Sequence, residues 1–135
     1  MLLTRECDYG IRTIRALGGG EKRTVQAICE EELIPGQYAY KILKKLERAG
    51  FVVSIRGREG GYQLTRSLSE ITLYDIIIAI DDKLTINECL KEGKDCARNP
   101  DDGPCVVHRE LDRIQTLMIA EMKRNTVLEL VKNTN

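Results

Sequence analysis

Three cysteines and the chain's one histidine are grouped in a single polar stretch. Cys89, Cys96, Cys105 and His108 follow one another with six, eight and two residues between them. Thiolates bind soft or borderline metals, and an imidazole can complete a four-coordinate site. These spacings match no common zinc-finger pattern. On spacing alone, an iron–sulfur cluster, a zinc staple and metal-free thiols, including a disulfide switch, stand level. The remaining cysteines, Cys7 and Cys29, fall in predicted helices and read as buried apolar fillers. The total of five is odd, which disfavours a pure disulfide framework.

A second set of residues could bind a polyanion. Gln37, Tyr38, Tyr40, Lys41 and Lys44 are hydrogen-bond donors on a segment whose Ala39, Ile42, Leu43 and Leu46 recur at i, i+3, i+4 and i+7. The segment is therefore an amphipathic helix, with Tyr38, Lys41, Lys45 and Arg48 expected outside. The major groove of DNA admits one helix, which must be apolar behind and rich in donors in front. Arg56 and Arg58 lie on a following turn with Gly57, Gly60 and Gly61, where glycine allows positive φ and close approach to phosphate or the minor groove. A solvated lysine face on an ordinary helix is the plain alternative.

The elements that position these residues are legible. A first helix is predicted from about Thr4 to Leu17, ended by Gly18-Gly19-Gly20. Thr24 caps a second helix over Val25–Glu32. The third starts at Pro35, suited to a first helical position, and stops at Gly50. Phe51–Ile55 and Tyr62–Thr65 read as strands of a hairpin. Thr72 and Asp75 form a capping box for a fourth helix to about Ile80. A polar loop spans residues 81–104, a length at which loops are usually functional or disordered. Val107, Leu111, Ile114, Met118 and Met122 then repeat at near-heptad spacing on a long helix. Thr126 and Glu129 form a second capping box, so that helix breaks near Asn125. The expected fold is mainly α with a small β-hairpin wing: a winged helix-turn-helix plus a long C-terminal dimerisation helix. Residues 1–66 are the DNA-binding domain. Residues 67–135 are the effector and dimerisation region, with a Cys-rich loop 81–105 and a long helix 106–124.

Composition narrows the classes. A length of 135 residues holds one small domain with an appendage. Lys+Arg and Asp+Glu are each 21, which excludes a histone-like basic protein. The balance hides an asymmetry: residues 1–66 carry 12 basic and 8 acidic side chains, and residues 67–135 carry 9 and 13. A polyanion partner is thus expected for the first half only. Tryptophan is absent and Phe51 is the one phenylalanine, so a stacking platform for single strands is not expected. The longest apolar run, Ile76–Ile80, is far short of the roughly 20 residues of a membrane span. Arg5, Glu6 and Asp8 stand where a signal peptide would be apolar. The expected location is the cytoplasm. One histidine, and no glycine loop with a lysine to cradle phosphate, leave little apparatus for an enzyme.

Several stretches together resemble the Rrf-type winged-helix transcription regulators (IscR/NsrR/CymR-like), and in particular their cysteine-triad iron–sulfur branch. They are Met1-Leu2-Leu3-Thr4 with Asp8-Tyr9-Gly10, Ile34-Pro35, Lys41 to Leu46, Ala49-Gly50-Phe51-Val52, and the wing from Ser54 to Leu64. The resemblance covers nearly the whole chain and implies a homodimer that binds double-stranded DNA, with the long helix at the interface. It also implies that Cys89, Cys96 and Cys105 ligate an iron–sulfur cluster, [2Fe–2S] ahead of [4Fe–4S], sensing iron–sulfur status, redox stress or nitric oxide. The two cysteine intervals are longer than in IscR-like members. His108 matches the fourth ligand of IscR-like members, and Asp8 stands where NsrR-like members use the partner subunit's aspartate; His108 is preferred. The rivals are a cluster-free regulator controlled by a small effector or a protein partner, and a zinc-stapled protein-interaction module.

Overall fold

The computed structural model describes residues 3–93 and 105–133. Three helices open the chain: α1 (Arg5–Ala16), α2 (Val25–Glu32) and α3 (Gly36–Arg48). Thr4 and Thr24 cap the first two, each side-chain oxygen accepting a backbone N–H of the first turn. Pro35 is the N-cap of α3 rather than its first residue. The turn between α2 and α3 places Leu33 in the left-handed region at φ 54°, with its side chain 79% exposed.

The hairpin follows as β1 (Val52–Ile55) and β2 (Gly61–Leu64), antiparallel, with Val52 opposite Leu64 and Ile55 opposite Gly61. Its edge is extended by Arg23, which exchanges two backbone hydrogen bonds of 2.8 Å with Tyr62. Positive φ was expected along the tip, but of its glycines only Gly57 adopts it, at 116°. Gly60 and Gly61 are needed for space. A Cβ on Gly60 would lie 2.6 Å from the Ile55 carbonyl oxygen, and one on Gly61 2.4 Å from that of Arg23.

After a 3-10 turn over Leu68–Glu70, the capping box of Thr72 and Asp75 starts α4 (Leu73–Ile80). A second 3-10 turn, Glu88–Leu90, lies within the expected loop. The long helix α5 runs over Val106–Met122, and the capping box of Thr126 and Glu129 starts α6 (Val127–Lys132).

One core joins these elements across the expected boundary at residue 66. Ile14, Leu17, Ile28, Ile42, Leu43 and Leu46 from α1–α3 are fully buried together with Ile71 and Ile76. Val127 closes the far side, its N–H donating to the Ile71 carbonyl at 2.7 Å. The stripe expected on α5 divides: Met118 and Met122 pack on the chain's own core, while Val107 and Ile114 remain 62% and 42% exposed. Among the described residues, no helix is long and apolar enough to cross a membrane.

Candidate nucleic-acid interface and cysteine segment

Helix α3 is anchored by Ala39, Ile42, Leu43 and Leu46, each with no exposed surface. Its opposite face exposes Gln37, Tyr40, Lys41, Lys44 and Arg48. Tyr38 was expected outside with them, but it is half-buried, its ring 5.4 Å from that of Tyr9 on α1. Lys45 also turns inward. Its ammonium donates to Glu6 at 2.8 Å and to the Ile80 carbonyl at 2.7 Å, tying α3 to the C-terminal end of α4. The second oxygen of Glu6 accepts from Lys41. These two hydrogen bonds, from Lys41 and then Lys45, hold the Glu6 carboxyl below its ordinary pKa. Glu6 precedes Lys41 by 35 residues, so helical periodicity gives no signal of the pairing.

The wing is fixed to the same helix. Glu47 accepts from the Ser54 hydroxyl at 2.7 Å and from the Ser54 N–H at 3.2 Å, which lowers its carboxyl pKa. Arg56 and Arg58 are exposed at the tip, with Gly60 and Gly61 half-buried at the base of β2. Arg66 stacks over Phe51 at 5.0 Å, where the hairpin meets the core. Burial pushes the Tyr62 hydroxyl up, with Glu47 and Tyr40 adding to it.

The cysteine segment is described in part, since Cys96 lies outside the described residues. Cys89 is half-buried in the second 3-10 turn, and that turn packs against α5. Just before it, the Ile86 N–H donates to the Gln115 side chain on α5 at 3.0 Å, and Leu84 is buried in the core. Cys105 is the N-cap of α5, its Sγ accepting the His108 N–H at 3.2 Å. His108 is half-buried in the first turn. Asp8 is exposed on α1 and paired with Arg12 at 2.9 Å. Both described thiols are free, and among the described residues no three His, Cys, Asp or Glu side chains converge into a metal-sized group. Cys7, read as a filler, is buried, and Cys29 is half-buried with its thiol pKa raised by desolvation and by Glu30.

A three-helix unit with an anchored, donor-bearing third helix, joined to a glycine-tipped hairpin, makes a winged helix-turn-helix. The chain belongs to the Rrf2 family, described as iron-dependent transcriptional regulators, whose sequence profile matches residues 3–133. It is 31% identical over 135 residues to protein aau3 of Rhizobium meliloti, covering 98% of this chain and 86% of that protein. It is 28% identical over 137 residues to the regulator NsrR of Bacillus subtilis, covering 98% of this chain and 92% of NsrR. Two solved structures share the fold. One is CymR, the global cysteine regulator of B. subtilis (TM-score 0.77, 22% identity, 98% of both chains). The other is IscR of T. potens (TM-score 0.76, 20% identity, 98% of this chain and 88% of that one).

Proposed function

We propose that this Rrf2-family regulator works in the cytoplasm as a homodimer and reads its operator with α3 and the wing. In this reading it senses iron–sulfur status, redox stress or nitric oxide through a cluster held by the cysteine segment. The observation that carries the DNA-binding part is the division of α3: four core side chains with no exposure on one face, and Gln37, Tyr40, Lys41 and Lys44 exposed on the other. Arg56 and Arg58 on the wing extend that face, and Gly60 and Gly61 let the hairpin close tightly behind them. Tyr38 contributes by seating α3 against Tyr9. The residues divide into a DNA-binding unit, 1–66, and an effector and dimerisation unit, 67–135, sharing one core.

The donor set fits a cluster in its chemistry: Cys89 and Cys105 are free thiols, and the segment of the first packs on the helix that the second begins. Cys89, Cys96 and Cys105 would hold the cluster as thiolates, with His108 as fourth ligand and Asp8 of the partner subunit as the alternative. When bound, a cluster supplies an iron centre that oxidant or nitric oxide can attack. [2Fe–2S] is favoured over [4Fe–4S]. Ile86 and Leu84 tether the start of the segment to α5 and the core, so ligand binding there bears on the elements that carry α3.

The test is anaerobic purification followed by iron and acid-labile sulfide determination. Wild type is expected to be coloured and loaded, Cys96→Ala to lose the iron, and His108→Ala to lose more than Asp8→Ala. Full loading of Cys96→Ala would remove the triad from the reading. A cluster-free regulator is the second reading. It is favoured by the Cys105 thiol, which is already engaged in capping α5, and iron-free wild type with intact operator binding would establish it.

A further inference from the structure

The wing is hydrogen-bonded along both edges, and its β1 edge is bonded to the helix that faces DNA. On the β2 edge, Tyr62 exchanges its two backbone bonds with Arg23, and the Gln63 side chain donates to the Gly20 carbonyl at 2.7 Å. Both of these partners precede α2. On the β1 edge, one carboxylate oxygen of Glu47 accepts the Ser54 N–H at 3.2 Å and the Ser54 hydroxyl at 2.7 Å. Glu47 lies on the last turn of α3, and Ser54 stands two residues before Arg56, where the tip begins. A two-stranded hairpin is marginal by itself, so its lateral ties decide where the tip points.

Electrostatics alone would not put a carboxylate here. The two Ser54 bonds, and then the nearby charges of Lys44 and Arg56, lower the Glu47 pKa, so the group is ionised at neutral pH. A negative charge among cations that face DNA repels phosphate and weakens binding. We infer that Glu47 is a positioning residue that holds the wing tip at a fixed offset from α3, so that Arg56 and Arg58 reach their groove when α3 occupies its own. The inference rests on the DNA-binding reading above. A loosely held wing would have to be ordered on the duplex, and that ordering subtracts from affinity. Tied to α3, its arginines bind as the second half of a preassembled pair.

The experiment measures binding of the full-length protein to a duplex selected by the wild type from a random-sequence pool. Glu47→Gln and Glu47→Ala remove the same charge, but the glutamine keeps an oxygen for the Ser54 N–H and hydroxyl. Alanine is the better helix former, so α3 itself is not weakened by it. Glu47→Gln should bind as tightly as wild type or more tightly. Glu47→Ala should bind roughly three- to ten-fold more weakly than Glu47→Gln, the size of one ordering step added to binding. Arg58→Ala should cost correspondingly less in the Glu47→Ala background than in Glu47→Gln, a coupling that a role confined to stability would not produce. Equal affinity of the two Glu47 variants, or an Arg58→Ala cost that is the same in both, would overturn the inference while leaving the DNA-binding reading in place. Should Glu47→Ala fail to fold, Ser54→Ala takes its place: it removes the hydroxyl bond, and an undiminished Arg58→Ala cost there would refute the proposal. A wild type that selects no duplex overturns the DNA-binding reading, and this inference with it.

Discussion

At the scale of single residues, Glu6 and the wing glycines each have a measurable consequence. The Glu6 carboxyl titrates below the ordinary 4.5 because Lys41 and Lys45 donate to it. Its folded pKa is lower than its unfolded one, so the stabilisation is present above about pH 4.5 and is lost as pH falls through the folded value. Urea midpoints measured from neutral to acid pH should therefore fall less in Glu6→Gln than in wild type. A parallel decline would place the acid-labile group elsewhere. Gly61 is constrained by space: a methyl group there meets the Arg23 carbonyl oxygen at 2.4 Å and its carbon at 2.8 Å. Gly61→Ala must push β2 away from Arg23 and break their paired hydrogen bonds. Equilibrium denaturation is expected to show a loss of about 1–3 kcal/mol. By contrast, Gly57→Ala costs through its φ of 116°, with no atom in its way.

At the scale of elements, α5 presents two adjoining apolar faces. Met118, Ile119 and Met122 pack on the chain's own core. Val106, Val107, Ile114 and Leu117 present apolar surface outward, between 42% and 70% exposed. The homodimer reading gives that surface a second copy of α5 to bury it. The two faces should separate in mutants. Leu117→Lys is expected to sediment as a folded monomer with an unfolding transition close to that of the wild-type subunit. Met118→Lys should destabilise the subunit itself, by about 1–3 kcal/mol, because a half-buried position loses packing and gains a charge. A Leu117→Lys variant that stays a tight dimer would move the interface off this face. The short α6 depends on its cap: Thr126 accepts the Glu129 N–H, and Val127 behind it is 3% exposed. Thr126→Ala should cost about 1 kcal/mol in denaturation.

At the scale of the whole molecule, described residues on both sides of the cysteine segment pack into the same core as α3. Lys45 of α3 is bonded to the last carbonyl of α4, one residue before the segment departs at Asp81. Leu84 re-enters the core, and Ile86 is held by Gln115 on α5. In the cluster reading, metal binding at Cys89 and Cys105 would thus reach α3 through α4 and α5, which share one core with it. Iron-loaded and iron-free protein should differ in operator affinity by roughly 5–150-fold, the usual range of allosteric coupling. Anisotropy titrations under anaerobic conditions check this. Equal affinity of the two forms would leave a cofactor without a switch.

Local chemistry in the sequence determined much of this protein. Thr24, Thr72 with Asp75, and Thr126 with Glu129 locate helix starts within one turn, because capping is a contact between residues three apart. The buried set of Ala39, Ile42, Leu43 and Leu46 follows from helical period alone, and with it the exposed donors of α3. The family, too, was legible in the wing and the third helix, and its profile spans residues 3–133. Tertiary structure decided the remainder. Tyr38 and Lys45 share the polar face by period, yet Tyr9, Glu6 and Ile80 draw them inward from other helices. Period likewise gave α5 one stripe, while the docking of α4 and the 3-10 turn against it split that stripe into a core-facing side and an outward one. Gly60 and Gly61 are glycine for close approach, a distance between backbones that no dihedral preference encodes. Except at Gly60, where Ile55 is a near neighbour in the hairpin, the deciding partner lies many residues away, and only the packed chain brings it within reach.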